Sequence, residues 1–150
     1  MIKAIVNYSL TLIIGILIGV TLITGLQGQD QERRMSTPGV TQTILLNTPL
    51  SEFPGKRVVM FIGNFEPGAS TPKHRHYGTE FLFVLEGEGV IEQPGGTSHE
   101  LKPGVAVFFE PQPGTNGFIH QAKNLSETDS MKTLVLLIYD SELGPAELVE

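Results

Sequence analysis

Three side chains able to bind a metal ion stand close together in one stretch of this sequence: His74, His76 and Glu80. Gly68 opens the stretch, with five residues before His74, and Gly87 closes it, with six residues after Glu80. Along an extended strand side chains alternate faces with a period of two, so these three even-numbered positions project to one side. His120, with Asn124 four residues on, supplies a fourth such group. The turn signals Pro94-Gly95-Gly96 and Pro103-Gly104, and the Pro/Gly-rich run 111–117, allow hairpins to carry it back to the others. Only His99 of the four histidines is left over, in a polar hairpin where a solvated surface role is expected. Imidazole and carboxylate ligands suit Fe, Mn, Co, Ni, Cu or Zn, and three nitrogens with one oxygen leave two positions of an octahedron open. At such positions an ion acts as electron conduit or Lewis acid.

Short β-rich runs must position these groups: 41–46, 57–65, 79–85, 89–93, 98–102, 105–109, 118–122 and 133–139, each bounded by Gly, Pro or Asn. Many short strands without a convincing helix predict an all-β sandwich or barrel. The runs 58–62 and 134–138 are apolar on both faces, as in a sandwich core or under an oligomer contact. Leu82 and Val84 share the ligands' parity, and Phe118 and Ala122 share that of His120, so these four are expected to wall the site with apolar surface. Lys73 and Arg75 should point outward. Tyr77 and Glu110 are weak candidates for an added acid or base, and no catalytic residue is named beyond the four ligands. The Asn124-Leu125-Ser126 glycosylation pattern is too short and frequent to carry weight.

The spacing from Gly68 to Gly87 resembles the first motif of the cupins at every position, and the segment from Gly104 to Asn124 resembles their second. There, Thr115, Asn116 and Gly117 look like an insertion that lengthens the loop before His120, a loop able to narrow the entrance to the site or to act as a lid. The resemblance covers roughly residues 45–139. It implies a cupin jelly roll or small β-barrel, a divalent transition metal held by His74, His76, Glu80 and His120, a small-molecule ligand or substrate, and a homodimer. Cupins include dioxygenases, isomerases and lyases. Dioxygenase-like oxidation is the leading expectation, against a cupin that binds or senses a small molecule without turnover, or an ion that merely braces the barrel.

Before this domain, residues 4–26 carry no charge and are rich in Ile, Leu and Val. At 1.5 Å per helical residue that length crosses a hydrocarbon core of about 30 Å, so one N-terminal transmembrane helix is expected. Lys3 and the apolar run suit an export signal, but no small-x-small cleavage site follows, which favours an uncleaved single-pass signal-anchor. The folded domain is then expected outside the membrane, periplasmic or extracellular, although Lys3 nearly balances Arg33 and Arg34. Residues 27–40 read as a linker, 41–140 as the β-domain and 141–150 as an acidic tail, either a short helix or irregular. About 124 residues beyond position 26 suit one domain. A formal net charge of -6 without a Lys/Arg cluster argues against a nucleic-acid partner, and the lack of cysteine excludes disulfides and thiolate chemistry.

Overall fold

The structure is a computed structural model and describes residues 37–149. The expected membrane segment and most of the linker lie outside the described residues. Among these residues no helix is long and apolar enough to cross a membrane. Ten strands follow one another: β1 (Val40–Pro49), β2 (Lys56–Phe65), β3 (His74–His76), β4 (Thr79–Glu86), β5 (Gly89–Glu92), β6 (Ser98–Leu101), β7 (Ala106–Phe109), β8 (Phe118–Asn124), β9 (Met131–Asp140) and β10 (Glu147–Leu148). They form two five-stranded sheets, ordered β1-β2-β9-β4-β7 and β10-β3-β8-β5-β6, with antiparallel neighbours throughout. The all-β architecture expected from the turn spacing is present, in the jelly-roll form that the resemblance implies.

Strict alternation explains how the sheets close. Along β9 the buried positions are Met131, Thr133, Val135, Leu137 and Tyr139. Along β4 they are Glu80, Leu82 and Val84. Of these, Leu82, Val84, Met131 and Val135 meet Ile91, Phe118 and Ala122 of the second sheet in one core, while Leu137 and Tyr139 pack with Val59 in a second, so each strand's apolar line is removed from water. Asn124, fully buried at the end of β8, ties loops to this core. Its Nδ2 lies 2.8 Å from Asp129 O, 3.0 Å from Glu66 O and 3.3 Å from Phe65 O, and its Oδ1 accepts from Ser126 N at 3.0 Å. A side chain so placed holds backbone together and has no surface on which to carry a glycan.

Two strands lie outside the β-rich runs read from the sequence. β3 is only three residues, His-Arg-His, with no apolar alternation to announce it, and β10 is two residues of the acidic tail. Rather than a helix or an irregular end, the tail contributes a strand that pairs with β3, Glu147 opposite Arg75 and Leu148 opposite His74.

The outer face of the first sheet is unusually apolar. Leu46, Met60, Leu136, Phe81 and Phe108 form one cross-strand row, and Ile62, Leu134, Phe83 and Ala106 the next. A bulge between Ile44 and Leu46 breaks the register of the edge strand β1 beside them. A groove of about 210 Å³ lies among Met60, Phe81, Phe83, Phe108, Leu134 and Leu136.

Candidate metal centre

The four expected ligands converge, but not along one strand. His74 and His76 lie on β3 and His120 on β8, where His74 and His120 are register partners. Glu80 lies on β4 in the other sheet, opposite Phe109 and Leu137. Between them the chain crosses from sheet to sheet at Tyr77-Gly78. A Cβ at Gly78 would stand 1.9 Å from Ile138 O, so only glycine fits that crossing. The shared parity of 74, 76 and 80 therefore corresponds to two strands that face each other across the interior, not to one continuous face.

His120 Nε2 lies 2.9 Å from His74 Nε2 and 3.1 Å from His76 Nε2. Glu80 Oε2 lies 3.2 Å from His76 Nε2 and 3.5 Å from His120 Nε2. None of the four residues is more than 6% exposed. His74 Nδ1 sits 2.8 Å from Pro72 O and His76 Nδ1 sits 2.6 Å from Pro145 O. A carbonyl oxygen only accepts, so both Nδ1 atoms carry hydrogen and both Nε2 atoms present lone pairs. Two lone pairs are thus left free beside His120 Nε2, and Glu80 Oε2, close to His76 and His120, has no hydrogen-bond partner. Buried acceptors crowded on one another are costly unless something positive lies among them.

The spacings pass a geometric test for that something. Adjacent donors around an octahedral ion with bonds of about 2.1 Å stand about 3.0 Å apart, close to the imidazole separations. The cluster of His74, His76 and His120 is compatible with metal binding.

Electrostatics agree. Burial pushes the Glu80 carboxyl up to about 8. Burial, then the neighbouring His74, drops His76 to about 3 against the pull of Pro145 O. Burial also lowers His74, and lowers His120 well below its ordinary value with help from His74 and His76. The His–Glu contacts are therefore not ion pairs in the metal-free protein.

A pH profile follows. The depressed histidines contribute stability that is present above 6.5, their unfolded value, and lost as pH falls. The raised Glu80 contributes stability that is present below 4.5 and lost as pH rises through about 8. Three histidines outweigh one carboxylate between 4.5 and 6.5, and only Glu80 changes above that. With a chelator present, unfolding free energy from urea titrations should peak near pH 6.5 and fall towards pH 8. Saturating metal should abolish the fall, because a bound cation keeps Glu80 ionised in the folded state. A flat metal-free profile from 6.5 to 8 would refute the burial argument.

The surroundings are apolar. Phe118 packs 5.3 Å from the His76 ring and 5.5 Å from His120, and Phe109 lies 5.4 Å from His120. Leu82, Val84, Phe118 and Ala122 are buried as their parity predicts. His99 departs from expectation: it is half-buried, its ring edge-on to Phe109 at 5.3 Å. Glu110 is exposed, and Tyr77 hydrogen-bonds Glu147. Neither reaches the cluster by any contact among the described residues. Sequence reasoning missed Phe109, whose odd-numbered alternation with Val107 was a usable signal, and the carbonyls of Pro72 and Pro145, which leave no side-chain signal.

The loop before β8 meets the site through Gly117. With φ +87°, its Cβ position lies 2.3 Å from His76 O. Gly117→Ala is expected to destabilise the domain by about 1–3 kcal/mol through backbone strain and overpacking on β3, read by urea denaturation. An unchanged midpoint would mean the loop does not press on β3.

The cupin domain family matches residues 61–137, a little over half of the chain. The chain belongs to the cupin family. Among the relatives, auxin-binding protein T85 of Nicotiana tabacum is 27% identical over 124 residues, 79% of this chain and 64% of that protein. The dimethylsulfoniopropionate lyase DddW of Ruegeria pomeroyi is 38% identical over 52 residues, 35% of this chain and 34% of that one. The chain thus spans less than two thirds of the length of either relative. A double-stranded β-helix protein of Klebsiella pneumoniae superposes with a TM-score of 0.58 at 23% identity, over 78% of this chain and 90% of that one, which supports the cupin fold alone.

Proposed function

We propose that His74, His76, Glu80 and His120 hold one divalent transition ion, and that the chain is a cupin oxidoreductase acting in a dioxygenase-like manner on a small oxygen-bearing molecule. The observation that carries this reading is Glu80 Oε2, buried without a hydrogen bond among imidazole lone pairs. Bound there, the ion would supply open positions for substrate or O2. The protein's own residues orient and exclude. Pro72 and Pro145 carbonyls fix two imidazoles, while Phe109 and Phe118 keep water from the cluster and offer apolar surface to a ligand's carbon skeleton.

A second reading, binding without turnover, is favoured by the absence of a further acid or base in contact with the cluster among the described residues. The long alignment to an auxin-binding protein also favours it. Metal identification on natively purified protein, followed by O2-uptake assays with small phenols, diketones and thiols, separates the two. Uptake that tracks iron supports oxidation. Tight ligand binding without uptake overturns it in favour of the binder.

The homodimer implied by the resemblance gains support from the outer face of the first sheet. Phe108 is 51% exposed and Phe81 46% exposed there, and the two cross-strand rows carry no charge. Phe81, Phe83 and Phe108 are exposed on this face, and a standard interface takes about 800 Å² per partner. β9 is central in the sheet order, so a twofold axis parallel to it and above this face would lay β1 of one copy over β7 of the other. Light scattering should give a dimer mass, and Phe108→Lys a monomer.

The localisation reading is that residues 4–26 anchor the chain with its domain exported. The uncharged apolar run supports it. Protease added to cells whose outer envelope has been permeabilised should remove the domain, and a domain protected until the inner membrane is broken would reverse the orientation.

A further inference from the structure

The tail of the described chain touches the centre at one atom, and that contact is strongly secured. Pro145 O accepts from His76 Nδ1 at 2.6 Å, across 69 residues of sequence. Beyond it, β10 pairs with β3, Val149 N donates to Lys73 O at 3.1 Å, and Arg75 Nη1 donates to Glu147 Oε2 at 3.2 Å. Tyr77 OH donates to the same carboxylate oxygen. Both residues flanking His76 therefore grip Glu147. His74 takes its carbonyl from Pro72, two residues away, which is a local turn contact. His76 has no such local partner and depends on a distant segment.

We propose that residues 145–149 form a clasp that sets the tautomer and aim of His76, with Pro145 as positioning residue and Glu147 as the latch. The proposal rests on the metal reading given above, which it deepens by making ion affinity depend on a segment remote from the ligands. With the clasp closed, the proton sits on Nδ1 and the lone pair on Nε2 faces Glu80 and His120. With it open, the imidazole is free to rotate and to exchange tautomers, and Nε2–H would turn a donor towards the ion's position. Outer partners of ligating histidines are worth about 10–100-fold in metal affinity.

Two measurements on the full-length chain, a truncation after Gly144 and Glu147→Ala test this. In the first, Co2+ is titrated and followed by its visible absorption, with circular dichroism confirming the β-fold. The truncation should lose about 10–100-fold in Co2+ affinity with an altered absorption envelope. Glu147→Ala, which keeps the whole tail, should lose less, and Glu147→Gln, which can still bond Tyr77, should recover most of it. In the second, long-range 1H–15N spectra of the metal-free protein read the His76 tautomer, Nδ1–H in the wild type and averaged in the truncation. Unchanged affinity and tautomer in both the truncation and Glu147→Ala, with Co2+ still bound by the wild type, overturns the clasp and leaves the metal reading standing. A tautomer that changes on truncation, in a protein whose wild type binds no Co2+, supports the clasp and defeats the metal reading instead.

Discussion

Glu80→Gln should cut divalent-metal affinity by at least about 100-fold while leaving the metal-free domain no less stable than the wild type at pH 8. The substitution keeps shape and volume but removes the carboxylate from the centre, the one anionic group there among the described residues. Loss of a direct anionic ligand should exceed the 10–100-fold attached to groups one contact further out, that is, more than about 2.7 kcal/mol. The stability half follows from burial. With its carboxyl pushed up to about 8, the wild type pays a desolvation penalty at that pH which a neutral amide does not. Metal content by mass spectrometry and urea unfolding at pH 8 measure the two halves. His120→Ala should also lose the ion, but it removes a buried ring and destabilises the metal-free fold as well. A Glu80→Gln protein that retains close to one ion per chain would remove the carboxylate from the ligand set.

The second large effect concerns Asn124. Asn124→Leu should destabilise the domain by about 3–6 kcal/mol, because it strips the carbonyls of Phe65, Glu66 and Asp129 and the amide of Ser126 of their side-chain partner. Each buried polar group left unsatisfied costs about 1–3 kcal/mol. Against a total stability of about 5–15 kcal/mol, such a loss approaches unfolding. Because Asn124 lies on β8 with His120, the variant should also lose metal when warmed. A midpoint shifted by less than about 1 kcal/mol would mean that water replaces the amide.

Much of this centre was legible in the residues. The interval from Gly68 to Gly87 with His74, His76 and Glu80 inside it is specific, and period-two alternation correctly assigned Leu82, Val84, Phe118 and Ala122 to the interior. The same alternation described the convergence wrongly. Parity carries meaning only within one strand, and Tyr77-Gly78 breaks the segment into strands of opposite sheets. The two facing sheets restore the convergence by a different route. Pro145 was not legible because any residue offers a carbonyl, so only the folded path of the tail singles one out. β10 was hidden for a related reason: Glu147 and Leu148 pair through backbone and through Arg75 and Tyr77, none of which gives a periodic signal.

The order of strands in the first sheet also governs how this chain comes into being. Lys56 pairs with Asp140 and Phe65 with Met131, so β2 finds its central neighbour only after some 66 to 84 intervening positions have been synthesised. Such distant pairing makes closure late and slow. A half-made polypeptide therefore stays threadable, its histidines scattered and its greasy phenylalanines uncovered, and it has most need of a chaperone in the interval before β9 emerges.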